Sequence, residues 1–211
     1  MLILGPQGAG KGTQAKRIAS EYGIPHIATG DMLRASIEGG DPLGVQAILD
    51  RGLLVPDDVM IELIRERLSE PDAESGFVLD GFPRTMAQAD ALGAMLREID
   101  KDLDVVFELQ VPDEVSVDRL LRRAQLEGRT DDTPETIRTR LGIYHSETAP
   151  LVEHYRARGN LVGIHGDRPV DAVFGEIQQA LEQAAQRPGR GGGVEDVWGN
   201  REAPPATGAR T

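Results

Sequence analysis

Residues 5–13, Gly-Pro-Gln-Gly-Ala-Gly-Lys-Gly-Thr, constrain the chain more than any other stretch. An apolar run, Leu2-Ile3-Leu4, precedes them and a helical pattern over 13–22 follows. Strand, glycine loop and helix in that order form the setting of a phosphate-binding loop. Glycines let the backbone curl until successive N–H groups face one anion. The helix that starts there adds the positive end of its dipole. Lys11 brings a full charge on a stem that reaches the outer phosphates. The plainer alternative is a glycine-rich turn with an exposed lysine, and the matching strand and helix speak against it. One detail departs from the common form: Gly12 stands where Ser or Thr usually follows the lysine, and Thr13 comes one residue late. A hydroxyl so displaced suits phosphate better than Mg²⁺, which points to other groups for the metal.

Around this loop, the remaining pattern alternates strands with helices. Apolar runs at 2–4, 24–28, 77–79, 105–111 and 161–165 read as strands. Helical spacing is expected over 13–22, closed by Gly23, and over 32–38, 42–50, 57–69, 85–98, 113–123, 134–158 and 170–186. Pro42 is a candidate start by its fixed φ, and Asp57 and Asp113 by capping. This alternation calls for a five-stranded parallel sheet covered on both faces, an α/β fold with three layers. At 211 residues there is room for one such domain with insertions. From Arg187 onward the composition turns to glycine, proline and few apolar residues, so 187–211 is expected to be a disordered tail. Trp198, the only tryptophan, lies in it. A docking role for 194–198 is the alternative.

Composition removes several function classes. There is no cysteine, which excludes disulfides and a thiolate zinc site. No apolar run reaches membrane-spanning length and the first residues read as a core strand, so a cytoplasmic protein is expected. A net charge of −12 argues against nucleic acid as the main partner, which needs a broad basic surface. An acidic protein that binds anions must collect its cations locally.

That collection can be followed along the chain. Ligands of open parallel sheets sit beyond the carboxyl ends of the strands. Three such ends carry polar clusters: the loop at 5–13, residues 29–34 and residues 80–88. Asp80 directly follows an apolar strand, where a P-loop enzyme places the carboxylate that organises Mg²⁺, directly or through water. Asp-Gly is also an ordinary turn signal. The phosphate loop upstream favours the metal role. Between 119 and 140 six arginines face four acids, in a chain of opposite balance. Arg119 and Arg123 are four apart and share a helix face, so they repel unless an anion lies between them. Taken alone they could be a solvated surface. Beside Lys11, Arg34 and Arg84 they look like a polyphosphate clamp. Cations from four separate regions suggest a second phosphorylated substrate facing the first, with transfer between them. Such transfer must exclude water, and residues 124–133, with Gly128 inside, are placed to form a mobile flap.

Five stretches together resemble the adenylate kinases: GPQGAGKGTQ at 5–14, TGDMLR at 29–34, DGFPRTMAQ at 80–88, GRTDDT at 128–133 and RTRLGIY at 138–144. The resemblance covers residues 1 to about 186, in order and with family spacing. It implies a P-loop core with a helical AMP-binding insert at about 29–58 and a short lid at about 124–134. The implied reaction is Mg·ATP + AMP ⇌ 2 ADP by a monomer whose partners are ATP, AMP and ADP. Carried over by motif, Gly8, Ala9, Gly10, Lys11, Gly12 and Thr13 hold ATP phosphates. Thr29, Arg34, Gly81, Phe82, Pro83, Arg84 and Gln88 belong to the AMP site, with Gln88 reading the adenine edge and backbone near Leu53, Leu54 and Val55 lining the base. Arg119 and Arg123 serve the ATP side, and Arg129 and Arg140 clamp phosphates between the nucleotides. Lys11, Arg84, Arg119, Arg123, Arg129 and Arg140 are the implied catalytic set. Asp80 matches the Mg²⁺-organising carboxylate, and backbone at Arg168-Pro169 the loop against the ATP adenine.

Three departures accompany this. Gln7 stands where the family often has proline, at a position that presents backbone. The first strand, beginning at Met1, is shorter than usual. The connection between Arg123 and Pro134 is short, where long-lid members insert a small β-domain that sometimes carries cysteine-bound zinc. Two rival readings remain: a UMP- or CMP-directed kinase, against which Thr29 and Gln88 speak, and a nucleotide-binding module without turnover, which would need no second phosphate clamp.

Overall fold

The computed structural model describes residues 1–129 and 131–186. The tail at 187–211, with Trp198, lies outside the described residues, as does Thr130. Five strands, β1 (Leu2–Leu4), β2 (His26–Ala28), β3 (Val78–Asp80), β4 (Val106–Gln110) and β5 (Leu161–His165), form one parallel sheet in the order β2-β3-β1-β4-β5. β1 lies between β3 and β4, with Ile3 opposite both Asp80 and Phe107. The chain leaves β1 toward one edge and returns to the other, which makes the end of β1 the switch point where such sheets bind ligands.

The alternation of side chains explains the layers. Leu2, Leu4, Leu79 and Val106 face one way, into a core shared with α2 (Thr29–Glu38), α4 (Asp57–Leu68), α5 (Met86–Glu98) and α8 (Pro150–Ala157). Ile3, Val78, Phe107 and Leu109 face the other, against α1 (Lys11–Tyr22) and α9 (Val170–Ala185). Runs apolar on both faces are what a parallel sheet covered twice requires. A satellite cluster of Leu120, Ile137 and Leu141 joins α6 (Asp113–Glu127) to α7 (Pro134–Ile143).

Several local expectations are corrected. Pro42 does not start a helix. The Asp41 carboxylate accepts N–H bonds from Val45 (2.8 Å) and Gln46 (3.2 Å), and α3 (Gln46–Asp50) begins only there. Asp57 and Asp113 do not cap: prolines 56 and 112 stand at the N-cap positions, and both carboxylates reach to other elements. α6 runs on to Glu127, so the first four residues of the expected flap are its last turn. The expected helix over 134–158 is interrupted by a π-turn at Tyr144–Thr148. Pro150 has no N–H and its ring crowds the preceding turn. The chain widens instead, with Ala149 N–H donating to the Tyr144 carbonyl at 2.8 Å, five residues back.

Candidate active site

The phosphate loop leaves β1 with Gly5, Gly8 and Gly10 at φ 142°, 82° and 94°. Gly8 is fixed by sterics as well as by φ, because a Cβ there would lie 2.5 Å from the Ser116 carbonyl oxygen. α1 starts at Lys11 with no side-chain cap and no acidic residue in its first turn, which leaves its first N–H groups for an anion. The Lys11 Nζ donates to the Gly5 and Pro6 carbonyls, each at 2.8 Å. Burial lowers its pKa to about 8, Asp80 opposes that shift, and Arg84 and Arg123 add to it.

Asp80 ends β3 beside this loop. A Cβ on Gly12 would stand 3.3 Å from its Oδ2, so the glycine after the lysine keeps the carboxylate side open. Burial works against its charge, yet the His26 ring, 3.5 Å away, and the charges of Lys11 and Arg84 together hold its pKa below the usual carboxylate value. Among the described residues no group of three or more His, Cys, Asp or Glu could hold a metal. One carboxylate with room beside it is a set that fits Mg²⁺, which keeps waters and takes its other ligands from substrate phosphates.

Arg84 lies within electrostatic reach of both Asp80 and Arg140. Its Nε donates to the Gly81 carbonyl at 2.8 Å, and its pKa is lowered by burial, opposed by Asp80 and assisted by Arg140. Gly81 is required here: it has φ 89°, and a Cβ would fall 2.5 Å from the Thr29 Oγ1. The Thr29 hydroxyl is turned to the Asp80 carbonyl at 3.4 Å. Phe82 and Pro83 are buried, joined by a cis peptide.

From the other side, Arg123 and Arg140 converge on Asp132, whose side chain is fully buried. Arg123 donates from Nε (2.8 Å) and Nη2 (2.7 Å) to Oδ2, and Arg140 donates from Nη1 to Oδ1 at 2.7 Å. Arg140 also donates to Asp131 Oδ2 (2.8 Å) and to the Leu49 carbonyl (3.3 Å), which ties α7 to the end of α3. Arg119 Nη1 donates to the Gly166 carbonyl at 2.9 Å and the Ala9 carbonyl at 3.4 Å, joining the phosphate loop to the turn after β5.

Lys11, Asp80, Arg84, Arg123 and Arg140 are thus close enough to shift one another or to share a carboxylate. The remaining cations named from the sequence are held by neighbours: Arg34 by Asp31, Arg129 by Glu127, and exposed Arg168 faces Glu176 at 3.6 Å. Leu53 is exposed, Leu54 half-buried and Val55 buried, in the extended segment before α4. Gln88 is buried at the start of α5, its amide engaged by Arg84 N–H and Asp57. His26, Asp57, Asp131 and Asp132 are the partners that sequence reasoning missed. The signal available was the Asp-Asp pair inside the 128–133 stretch, counted only as charge offsetting the arginines.

A sequence model of the adenylate kinase family matches residues 3–160. An adenylate kinase of Cyanothece sp. is 50% identical over 185 residues, covering 87% of this chain and 95% of that one. One from Thermobifida fusca is 48% identical over 187 residues, covering 88% and 99%. One from Archaeoglobus fulgidus is 42% identical over 212 residues, covering 87% and 98%. With a phosphate loop, a carboxylate at the next strand end and arginines gathered from the far side, and with likeness along nearly the whole described length, the chain belongs to the adenylate kinase family.

Proposed function

We propose that this chain catalyses reversible phosphoryl transfer from Mg·ATP to AMP, giving two ADP. The observation that supports it best is the mutual electrostatic reach of Lys11, Asp80, Arg84, Arg123 and Arg140, together with the shared Asp132. So many cations exceed what one triphosphate needs and suit two nucleotides meeting end to end. In this reading a non-bridging oxygen of the AMP phosphate forms the new P–O bond while the bond from the γ-phosphorus to the β,γ-bridging oxygen breaks. The transition state is loose, and the protein acts by positioning the partners and neutralising their charge.

Residue roles follow from motif and position. Gly8, Ala9, Gly10, Lys11, Gly12 and Thr13 hold ATP phosphates, with Arg119 and Arg123 on the same side and Arg168 at its base. Thr29, Arg34, Leu53, Leu54 and Val55, within an insert at about 29–58, form the AMP side together with Gly81, Phe82, Pro83, Arg84 and Gln88 at the end of β3 and the start of α5. Arg129, on a short lid at about 124–134 whose stem is the end of α6, and Arg140, on α7, clamp phosphates between the two. Asp80 would hold Mg²⁺ through water, and that ion would supply charge neutralisation on the ATP phosphates. Closure of the lid excludes the water that would hydrolyse ATP. Adenine nucleotides are the partners, and the enzyme works as a monomer in the cytoplasm. Among the described residues no helix is long and apolar enough to cross a membrane.

The test is phosphoryl acceptance by AMP, UMP, CMP and GMP with Mg·ATP. AMP is expected to be preferred, and a UMP preference rejects the assignment. Calorimetry that found one nucleotide site, with no disproportionation of ADP, would favour a binding module.

A further inference from the structure

Gln88 is 2% exposed, and the polarity of its amide is fixed by two partners that can each play only one role. Its Oε1 accepts from the backbone N–H of Arg84 at 2.8 Å, and its Nε2 donates to Asp57 Oδ1 at 2.7 Å. A backbone N–H only donates and an ionised carboxylate only accepts, so turning the amide over would set donor against donor and acceptor against acceptor. Asp57 is held in turn. Thr85 Oγ1 donates to Asp57 Oδ2 at 3.0 Å while accepting the Gln88 N–H at 3.2 Å as the cap of α5. The first residue of α4 and the first turn of α5 therefore lock one side chain between them.

We infer that Asp57 is a specificity-determining positioning residue: by holding the Gln88 amide in one orientation it makes the acceptor site read a 6-amino purine and reject its 6-oxo counterpart. This rests on the reading above in which Gln88 meets the base. After its two fixed partners the amide keeps one N–H and one lone pair. A 6-amino purine offers a donor at C6 beside a ring-nitrogen acceptor, whereas a 6-oxo purine offers an acceptor at C6 and a donor at N1. A free glutamine matches either by turning over, so Gln88 alone does not discriminate. Of its two fixed partners Asp57 is the stronger hold, because hydrogen bonds to an ionised group are the stronger kind, while the Arg84 N–H contributes the weaker one.

The test compares kcat/KM for AMP and for inosine 5′-monophosphate, with Mg·ATP, in wild type, Asp57→Asn, Asp57→Ala and Gln88→Ala. The amide introduced by Asp57→Asn keeps the shape of the carboxylate but can either donate or accept. Asp57→Asn is expected to lower the AMP-to-IMP ratio about tenfold, the worth of roughly one hydrogen bond, mainly through a lower KM for IMP. A purely structural tie between α4 and α5 would move the melting temperature and leave this ratio alone. Asp57→Ala removes the acceptor altogether and should shift the ratio in the same direction, which keeps the test open if one variant folds poorly. A ratio that collapses in Gln88→Ala but stays at the wild-type value in both Asp57 variants overturns the inference and spares the AMP reading. A ratio unchanged in Gln88→Ala, or a wild type without AMP preference, overturns that reading and the inference with it.

Discussion

Replacing Lys11 by methionine should abolish most turnover and, without nucleotide, make the protein slightly more stable. The ammonium is charged at neutral pH in a place that disfavours charge, which holds its pKa at about 8 instead of 10.5. At 1.36 kcal/mol per unit this is at most roughly 3 kcal/mol of folding free energy, since Lys11 retains some solvent contact. The sign follows from proton counting. Between pH 8 and 10.5 the unfolded chain binds more protons at this site than the folded one, so stability rises with pH across that window. It falls as the pH drops through the folded value, and below about 8 the whole penalty is in place.

Methionine fills a similar volume without the charge, but it leaves the Gly5 and Pro6 carbonyls without their lysine partner, at about 1 kcal/mol each. The net gain is then about 1 kcal/mol, or about 2–4 °C in melting temperature for a domain of this size. Differential scanning calorimetry at pH 7 checks it, and the gain should vanish at pH 10.5. Turnover should fall by about 10²–10³-fold, the usual loss when one preorganised charge at a transition state is removed. A variant less stable than wild type by several degrees at pH 7, or one that keeps its turnover, would refute the reasoning.

Arg84→Ala should lose turnover by a similar ~10²–10³-fold, with the circular dichroism spectrum of the wild type. Asp132→Ala leaves Arg123 without its carboxylate and Arg140 with Asp131 alone, and should cost about 1–3 kcal/mol in urea unfolding; a dinucleoside pentaphosphate, replacing the missing anion, should restore part of it. Gly81→Ala must move the Thr29 hydroxyl and hold a positive φ, so about 1–3 kcal/mol of stability and a raised KM for AMP are expected from melts and initial rates. Asp80 and Asp131 are ionised below the ordinary carboxylate value of 3.8 in the folded state. Their contribution is present above pH 3.8 and lost as pH falls through their lower folded values. Asp131→Asn should flatten the acid limb of a stability profile measured by urea unfolding.

The frame is legible in the sequence because its signals are local. The runs of apolar residues at β1, β3 and β4 and the glycines after β1 need no distant partner to be read. Expectation and structure part where a side chain takes a remote partner over a near one. Asp57 and Asp113 have the chemistry of caps, yet prolines at 56 and 112 already start those helices, and the carboxylates reach Gln88 and His145 instead. The start of the expected flap differs from expectation for another reason. Ala124, Gln125, Leu126 and Glu127 are good helix formers and extend α6, and the break falls only at Gly128. Within the site the cations can be listed from spacing, but their counterions cannot. Asp131 and Asp132 lie eight and nine residues before or after the arginines they hold, outside the three- and four-residue reach of a helix face.

Those counterions answer how a chain of net charge −12 keeps an anion site. Guanidinium groups gathered around an empty space would repel one another and swing outward, and order would have to be restored at each turnover. Asp132 prevents this from inside. It holds Arg123 on α6 and Arg140 on α7 with both carboxylate oxygens, while Asp80 faces Lys11 and Arg84 from the end of β3. The carboxylates fix the arginines in place, and each arginine keeps N–H donors beyond those its carboxylate uses. An entering polyphosphate adds to a paired array and need not assemble it, which is the condition for electrostatic stabilisation without reorganisation during transfer. In the proposed reaction the same carboxylates would limit how tightly the products are held, because part of each arginine's charge is already answered. An acidic interior partner would thus serve both ends of that proposed reaction: it would order the clamp for binding and weaken it for release.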